Sequence, residues 1–328
     1  MGSPDAEGHT SRGRYFYISK GATVFFPALS TTVNNDFALV PVIPPFSDKK
    51  VYSTFVYHND KFNVTDGSRD EFRLYLNKDI DPNGAYYLPD DIIVIERYVE
   101  EVPEEGGFSM PVYVINRFPP ASAQYDLLEA IIDESPIKGG HALVDDLPFL
   151  TELVSKERLE DTEVVISDDA KAEIIKQQDE VLSSDEDDIE AIRGAQLFNS
   201  SNFRDFVLLG YGYKCAITKE VISWNDLNNL EAAHIKPRAH IGTFLPCNGI
   251  ALSRDMHWAF DKGFITISDD LKVIVHDEVM HTFLNKFDGM DIIKPLDPYF
   301  QPAEKFLHYH RENIYGLFKH SGMIRRII

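Results

Sequence analysis

Residues 230–240 have the sequence LEAAHIKPRAH, and the block NGIALSRDMHWAFDKGFITIS begins at residue 248. The first stretch predicts a short apolar strand that ends at His234. In the second stretch we predict another strand over residues 249–252, followed by a helix. The alternation in FITIS, the turn formers DDLK and the segment VIVH then predict a closing hairpin. The expected order around His234 is therefore strand, loop, strand, helix.

Two residues of the predicted helix are candidates to bind a divalent cation. The helix is expected to begin at the N-cap Ser253 and to stop at Gly263. His257 and Asp261 are four positions apart, so both side chains lie on one face about one turn apart. An imidazole and a carboxylate so placed can bind one cation, although such a pair alone is more often a surface hydrogen bond.

The residues around His234 resemble a known family of nucleases. His234, Asn248 and His257 match the three letters of the HNH nucleases, and the blocks LEAAHIKPR, NGIALS and MHWAFDKG resemble the branch common in prokaryotic restriction and defence enzymes. The resemblance covers about residues 192–275 and implies a ββα-metal (His-Me finger) fold. It implies that His234 is the general base, that Asn248 organises the loop, and that His257 is a metal ligand. A neutral imidazole with a pKa of about 6.5 suits the activation of water for phosphodiester hydrolysis.

The resemblance also implies a divalent cation, bound by His257 and Asp261, that polarises the scissile phosphate. Mg²⁺ is the expected ion, with Mn²⁺, Ni²⁺ and Zn²⁺ as alternatives. Many members carry Asp or His immediately before the catalytic His, where this chain has Ala233. Glu231 points to the same side of the strand. We expect Glu231 either to serve the metal, directly or through water, or to be an ordinary edge-strand carboxylate.

Basic and sulfur-containing residues near the motif have alternative interpretations. Lys236, Arg238 and Arg254 are candidates to bind phosphates, and the alternative is ordinary surface charge. Some related proteins bind a structural zinc through two Cys-x-x-Cys pairs, whereas Cys215 and Cys247 each stand alone. We therefore predict no structural zinc and two small buried apolar residues, which fits a reducing cytoplasm.

The charge of the chain is unevenly distributed. The 328 residues carry a formal net charge of −21, which argues against a whole surface built to bind polyanions. Residues 196–328 contain 15 basic and 15 acidic side chains, so the acidic excess lies entirely in residues 1–195. The segment SSDEDDIE within that part is interpreted as a solvated linker. A length of 328 residues is comfortable for two domains.

The expected fold is of the α+β class, with the following organisation along the chain. Residues 1–13 are predicted to be a disordered leader. Residues 14–121 contain seven β patterns separated by turn formers, among them ATVFFPAL at residues 22–29, and predict an all-β, barrel-like domain. A helical acidic connector is expected over residues 122–191, and the nuclease domain over residues 192–328.

The N-terminal domain is expected to recognise DNA. Its segments EFRLYL and YYLPDDIIVIER weakly resemble the B3-like β-barrels that bind DNA in some restriction enzymes and plant regulators. The alternative is a β domain that binds a protein or a small signal.

The combined expectation is a metal-dependent DNA endonuclease of restriction or phage-defence type, working as a homodimer in the cytoplasm. No apolar run is long enough to cross a membrane. The alternatives are a non-catalytic DNA- or protein-binding regulator on an HNH scaffold and an RNA-directed nuclease toxin. The joint presence of His234, Asn248, His257 and Asp261 favours the enzyme, because a scaffold does not need all four.

Overall fold

The computed structural model of the protein describes residues 14–59, 70–99, 111–145, 147, 149, 163–183, 200–224 and 227–318. The predicted leader, the acidic run before residue 191 and the helical pattern EAIRGAQLF lie outside the described residues. The chain divides into two compact units. The N-terminal unit comprises residues 1–176 and 186–197, and the C-terminal unit comprises residues 177–185 and 198–328.

The N-terminal unit is built on a curled half-barrel sheet that, in its described part, has seven strands. The strands are β1 (Tyr15–Ile18), β2 (Phe37–Ile43), β3 (Lys50–His58), β4 (Glu71–Tyr75), β5 (Ile92–Val99), β6 (Pro111–Phe118) and β7 (Val164–Ile166). Their order is β1-β4-β3-β2-β6-β5, and β7 pairs with β3. The β2–β6 and β3–β7 pairs are parallel, and the others are antiparallel. Six of the seven predicted strands of this unit are confirmed.

The prediction of a strand at residues 22–29 is wrong. A 3₁₀ helix, Lys20–Phe25, occupies the first part of that segment. Phe25 and Phe26 both pack on the core cluster, with ring centroids 5.7 Å apart, whereas successive side chains of a strand point to opposite faces. Phe26 stacks on Phe55 with ring centroids 4.7 Å apart. Packing of two consecutive aromatic rings in the core therefore favours the 3₁₀ helix over a strand.

The stretch predicted as a helical acidic connector is only partly helical in its described part. Helices α1 (Tyr125–Asp133) and α2 (Asp168–Ser183) agree with two of the predicted helical patterns. Between them lies β7, whose Val164 and Ile166 are buried and which extends the sheet beside β3. The connector as such is therefore not confirmed, because part of it belongs to the sheet.

The C-terminal unit contains the predicted order of strand, loop, strand and helix. Its elements are α3 (Ser200–Gly210), β8 (Ser223–Trp224), β9 (Leu227–Asn228), β10 (Leu230–His234), β11 (Gly249–Ser253), α4 (Arg254–Asp261), β12 (Ile265–Ile267), β13 (Val273–Val275) and α5 (Glu304–Asn313). The pairs β10–β11 and β12–β13 are antiparallel hairpins. None of the described helices is long and apolar enough to cross a membrane.

Helix α4 has the predicted ends but not the predicted cap. Ser253 occupies the N-cap position, yet its side chain makes no capping hydrogen bond. At the other end Gly263 adopts a φ of 74°, its N–H donates to Phe260 O, and Phe264 N–H donates to Ala259 O. This is a Schellman motif, so the stop at Gly263 is confirmed and the capping bond of Ser253 is not.

A buried histidine joins α5 to β12. His310 is 1% exposed, its Nδ1 lies 2.9 Å from the Thr266 hydroxyl, and its Nε2 lies 3.2 Å from Phe260 O. This pattern fits a neutral ring in which Nε2–H donates to the carbonyl and Nδ1 accepts from the hydroxyl. Burial lowers the pKa of His310 from 6.5 to about 3.

We expect this histidine to destabilise the C-terminal unit in acid. The folded pKa lies below the unfolded value of 6.5, so the unfolded chain binds the proton first and stability falls as the pH drops below about 6.5. Between about pH 7 and about pH 5, His310 contributes a loss of about 2 kcal/mol. Urea unfolding of His310→Gln should therefore depend less on pH than that of the wild type. His308→Gln, on the same helix but exposed, is the control, and an equal pH dependence in all three proteins would contradict the assignment.

Candidate active site

The base candidate His234 lies at the end of β10, opposite a glycine. In the β10–β11 register His234 pairs with Gly249. A Cβ at Gly249 would come within 2.9 Å of the Phe203 ring and 2.2 Å of Val207 Cγ2. The missing side chain thus lets α3 approach the hairpin, and Phe203 stacks on the His234 ring at 4.1 Å. Phe244 meets the same imidazole nearly edge-on at 5.4 Å, so the ring is fixed between two aromatic side chains.

The imidazole of His234 is neutral at physiological pH. Burial, reinforced by the positive charge of Arg238, lowers the pKa of His234 from 6.5 to about 3. Its Nε2 is buried and has no hydrogen-bond partner among the described residues. The ring therefore retains an unprotonated nitrogen, and it becomes an effective proton acceptor only when a neighbouring anion raises its pKa.

The side chain of Asn248 closes the loop that follows His234. It is fully buried. Its Oδ1 accepts from Lys236 N at 2.8 Å, and its Nδ2 donates to Lys236 O at 3.1 Å and to Thr243 O at 2.9 Å. Ile235 N also donates to Asn248 O at 2.8 Å. These bonds join both ends of the loop, and they fix the backbone next to His234.

Glu231, Arg254, His257 and Asp261 form a chain of contacts on one side of the hairpin. His257 Nδ1 lies 2.7 Å from Glu231 Oε2, and His257 Nε2 lies 3.4 Å from Asp261 Oδ2. The other oxygen of Glu231 lies 3.3 Å from Arg254 Nε. The Glu231 carboxylate thus lies beside His257. In the sequence, Glu231 was the candidate to replace the Asp or His that many HNH nucleases carry at the position of Ala233.

The three candidate metal ligands do not converge on one point. Glu231 and Asp261 occupy opposite nitrogens of the His257 ring, whose lone-pair directions diverge. Accordingly, no three His, Cys, Asp or Glu side chains in the described ranges are arranged to bind one ion. Neighbouring ligands of an octahedral Mg²⁺ are about 3 Å apart. Nε2 of His257 and Oδ2 of Asp261 fit that requirement as a pair, and both donor types suit a divalent cation.

The predicted phosphate-binding residues have three different environments. Arg254 is exposed and contacts Glu231. The Arg238 guanidinium lies 4.1 Å above the Phe244 ring and also donates to Gly242 O, so it is fastened within its own loop. The Lys236 ammonium lies 4.6 Å from the centre of the Tyr309 ring.

Several residues of the site could not be identified from the sequence. The Tyr309 hydroxyl of α5 lies 3.1 Å from His240 Nδ1, and Phe203 of α3 stacks on His234. Both come from helices far from the motif in sequence, and a helical aromatic is ordinarily a core residue. The free cysteines Cys215 and Cys247 are buried, as predicted, and burial raises the pKa of Cys247 to about 12.

Comparisons with known proteins identify the segment that contains His234, Asn248 and His257. Residues 215–268 match the family model of an HNH endonuclease. No curated protein matches the chain. A solved structure of a modification-dependent restriction endonuclease, TagI, is 25% identical over 39% of this chain and 44% of that chain, with a TM-score of 0.29. The chain therefore covers less than half the length of that enzyme.

We expect Asn248→Ala to destabilise the C-terminal unit by about 3 kcal/mol, because it leaves one N–H and two carbonyl groups without their buried partner. Asn285→Ala, at an exposed position, should change the free energy of unfolding by less than about 0.5 kcal/mol. Urea unfolding monitored by circular dichroism measures both. Equal free energies of unfolding of the two variants would show that the Asn248 amide does not stabilise the loop.

Proposed function

We propose, from the HNH endonuclease domain at residues 215–268, that the protein is a metal-dependent DNA endonuclease of restriction or phage-defence type. One observation supports the proposal. The matched segment contains the neutral imidazole of His234, which is held on β10 by aromatic rings, and the His257–Asp261 pair on α4, a helix that packs against the β10–β11 hairpin. A stacked core histidine alone would need no such pair beside it.

In this proposal His234 is the general base. At neutral pH its low pKa leaves the ring unprotonated, so it can take a proton from a water molecule that attacks the phosphodiester. An anionic phosphate beside the ring offsets the charge of Arg238, and this favours the protonated imidazole as the reaction proceeds. Phe203 and Phe244 restrict the orientation of the ring, and Asn248 fixes the backbone that follows it.

His257 and Asp261 are proposed to bind the divalent cation through Nε2 and Oδ2, with Mg²⁺ as the expected ion. When bound, the cation polarises the scissile phosphate and stabilises negative charge on the leaving oxygen. Glu231 accepts a hydrogen bond from Nδ1–H of His257, which fixes the tautomer that leaves Nε2 free. We therefore assign Glu231 a positioning role in place of the direct ligation that the sequence left open.

DNA recognition is assigned to the N-terminal unit, and phosphate contacts to Lys236, Arg238 and Arg254. A homodimer is the proposed working form, because one such site attacks one strand at a time and a two-fold protein matches a palindrome. The two free cysteines fit action in a reducing compartment such as the cytoplasm.

His234→Ala should reduce Mg²⁺-dependent nicking of plasmid DNA by about 10²- to 10⁴-fold, because the attacking water loses its base. EDTA should abolish nicking by the wild type. The control is His308→Ala, which removes an exposed imidazole from α5 and should retain full activity. Undiminished nicking by His234→Ala would remove this residue from its role. Cleavage of RNA alone would favour a toxin, and cleavage of no nucleic acid would favour a scaffold.

Metal titration distinguishes positioning by Glu231 from ligation. Glu231→Gln retains an oxygen that accepts from His257 Nδ1–H, so we expect Mn²⁺ affinity, measured by calorimetry, to fall by no more than about tenfold, the lower end of the loss for a positioning residue. Asp261→Asn removes a charged ligand and should weaken binding by more than about tenfold. If Glu231→Gln weakened binding as much as Asp261→Asn, Glu231 would be a ligand.

A further inference from the structure

We propose that the N-terminal unit contains a nucleotide-binding pocket, distinct from the nuclease site. The pocket is a groove of about 500 Å³ lined mainly by Tyr17, Ser19, Lys20, Ile137, Lys138 and Gly139. The identity of its ligand as a nucleotide within DNA rests on the proposed nuclease function. The pocket itself rests on the contacts described below.

One buried hydrogen-bonding atom lies in the wall of this groove, on Ser19, and a second lies next to the lining residue Gly139, on His141. Ser19 is 6% exposed, and its Oγ has no partner among the described residues. His141 Nε2 lies 3.0 Å from Tyr17 O, so Nε2 carries the proton and Nδ1 is an acceptor, also buried and unpaired within the described ranges. An unsatisfied buried polar atom typically costs about 1–3 kcal/mol. Such atoms suit a ligand that supplies the missing hydrogen bonds.

Space for that ligand is kept open by glycine. A Cβ at Gly139 would lie 3.7 Å from His141 Nδ1 and 3.8 Å from Ser19 Cβ, so a side chain there would fill the volume beside both unpaired groups. Gly139 has a φ of 90°, which a residue with a side chain rarely adopts. The backbone thus permits close approach of a ligand to Ser19 and His141.

The rest of the lining favours a flat ring with an anionic group attached. Tyr17 is 42% exposed and offers an aromatic surface, and Ile137 adds an apolar one. Lys20 and Lys138 supply cations at the groove. Lys20 is bonded to Asp70 at 2.5 Å, whereas Lys138 has no carboxylate partner in the described part of the chain. Aromatic stacking, hydrogen bonds to a ring edge and a nearby ammonium group together match a nucleotide.

The neighbouring sheet face favours a nucleotide within a nucleic acid strand. Tyr17 pairs in register with Arg73 of β4, whose guanidinium lies 4.0 Å above the Tyr15 ring. Tyr75 follows on the same face, with its hydroxyl 2.8 Å from His58 Nε2. Arg73 is 7% exposed and paired with Glu71 at 2.5 Å, so this face offers its aromatic rings rather than a free cation. Exposed or half-buried aromatic rings are a common platform for consecutive bases. The groove therefore continues into a surface that a single free nucleotide does not need.

The proposal is tested with the full chain carrying His234→Ala, so that the DNA stays intact. Fluorescence anisotropy is used to compare a short fully paired duplex with the same duplex containing one mismatch, because an unpaired base is more easily extruded into a pocket. We expect the mismatched duplex to bind about tenfold more tightly. Each of the four deoxynucleoside monophosphates is also tested as a competitor.

Two variants in the same background locate the effect. Tyr17→Leu should abolish the preference for the mismatch, whereas Phe46→Leu, a control aromatic with 41% exposure, should retain it. Ser19→Ala should weaken binding of the mismatched duplex by about fivefold. The melting temperature of the Ser19→Ala protein should be unchanged or higher than that of the wild type, because the substitution removes a buried hydroxyl that has no partner among the described residues.

The outcomes separate this pocket from the proposed nuclease. A mismatch preference that survives Tyr17→Leu, or an absence of binding by every probe, would overturn the proposal. If monophosphates bound in a Tyr17-dependent way and the protein showed no preference between the two duplexes, the pocket would be supported and its ligand would be a free nucleotide. Tyr17-dependent binding in a protein whose wild type cuts no nucleic acid would support the pocket while refuting the nuclease.

Discussion

The buried amide of Asn248 is the constraint on which the candidate active site depends. Three hydrogen bonds from one side chain join Lys236 to Thr243 and close the loop between the two strands. The next residue, Gly249, stands opposite His234 and leaves room for Phe203. Asn248 therefore sets the backbone beside His234, and Gly249, the first residue of β11, sets the packing of the imidazole ring. Two consecutive residues thus control both the location and the orientation of His234.

The charges of the site are arranged so that the two histidines differ. His234 lies between aromatic rings, near Arg238, and stays neutral. His257 lies between the carboxylates of Glu231 and Asp261, which favour a fixed tautomer and an electron-rich ring. Identical side chains thus acquire different chemistry from their surroundings, which is the separation that the proposed base and the proposed metal ligand require.

The sequence was sufficient to predict elements whose pattern is local. The hairpin β10–β11, helix α4 and the stop at Gly263 follow from alternation, spacing and a glycine. Interactions between distant segments were not predictable. The 3₁₀ helix before Phe26 depends on a core that accepts two consecutive rings, and β7 depends on the end of β3 that β4 leaves unpaired. The contact of Glu231 with Nδ1 instead of Nε2 depends on the rotamer of His257, which spacing does not determine.

Both proposed sites contain buried polar atoms that have no hydrogen-bond partner among the described residues. His234 Nε2 and Thr243 Oγ1 lie in the nuclease site, and Ser19 Oγ and His141 Nδ1 lie beside the groove of the N-terminal unit. Most buried polar groups in proteins are hydrogen-bonded, so each exception calls for a cause. Alanine at position 19 would remove one unpaired atom without a cavity larger than a hydroxyl. Selection for stability alone would therefore not retain Ser19. Buried polar atoms without a partner are expected at sites where a ligand supplies the hydrogen bond.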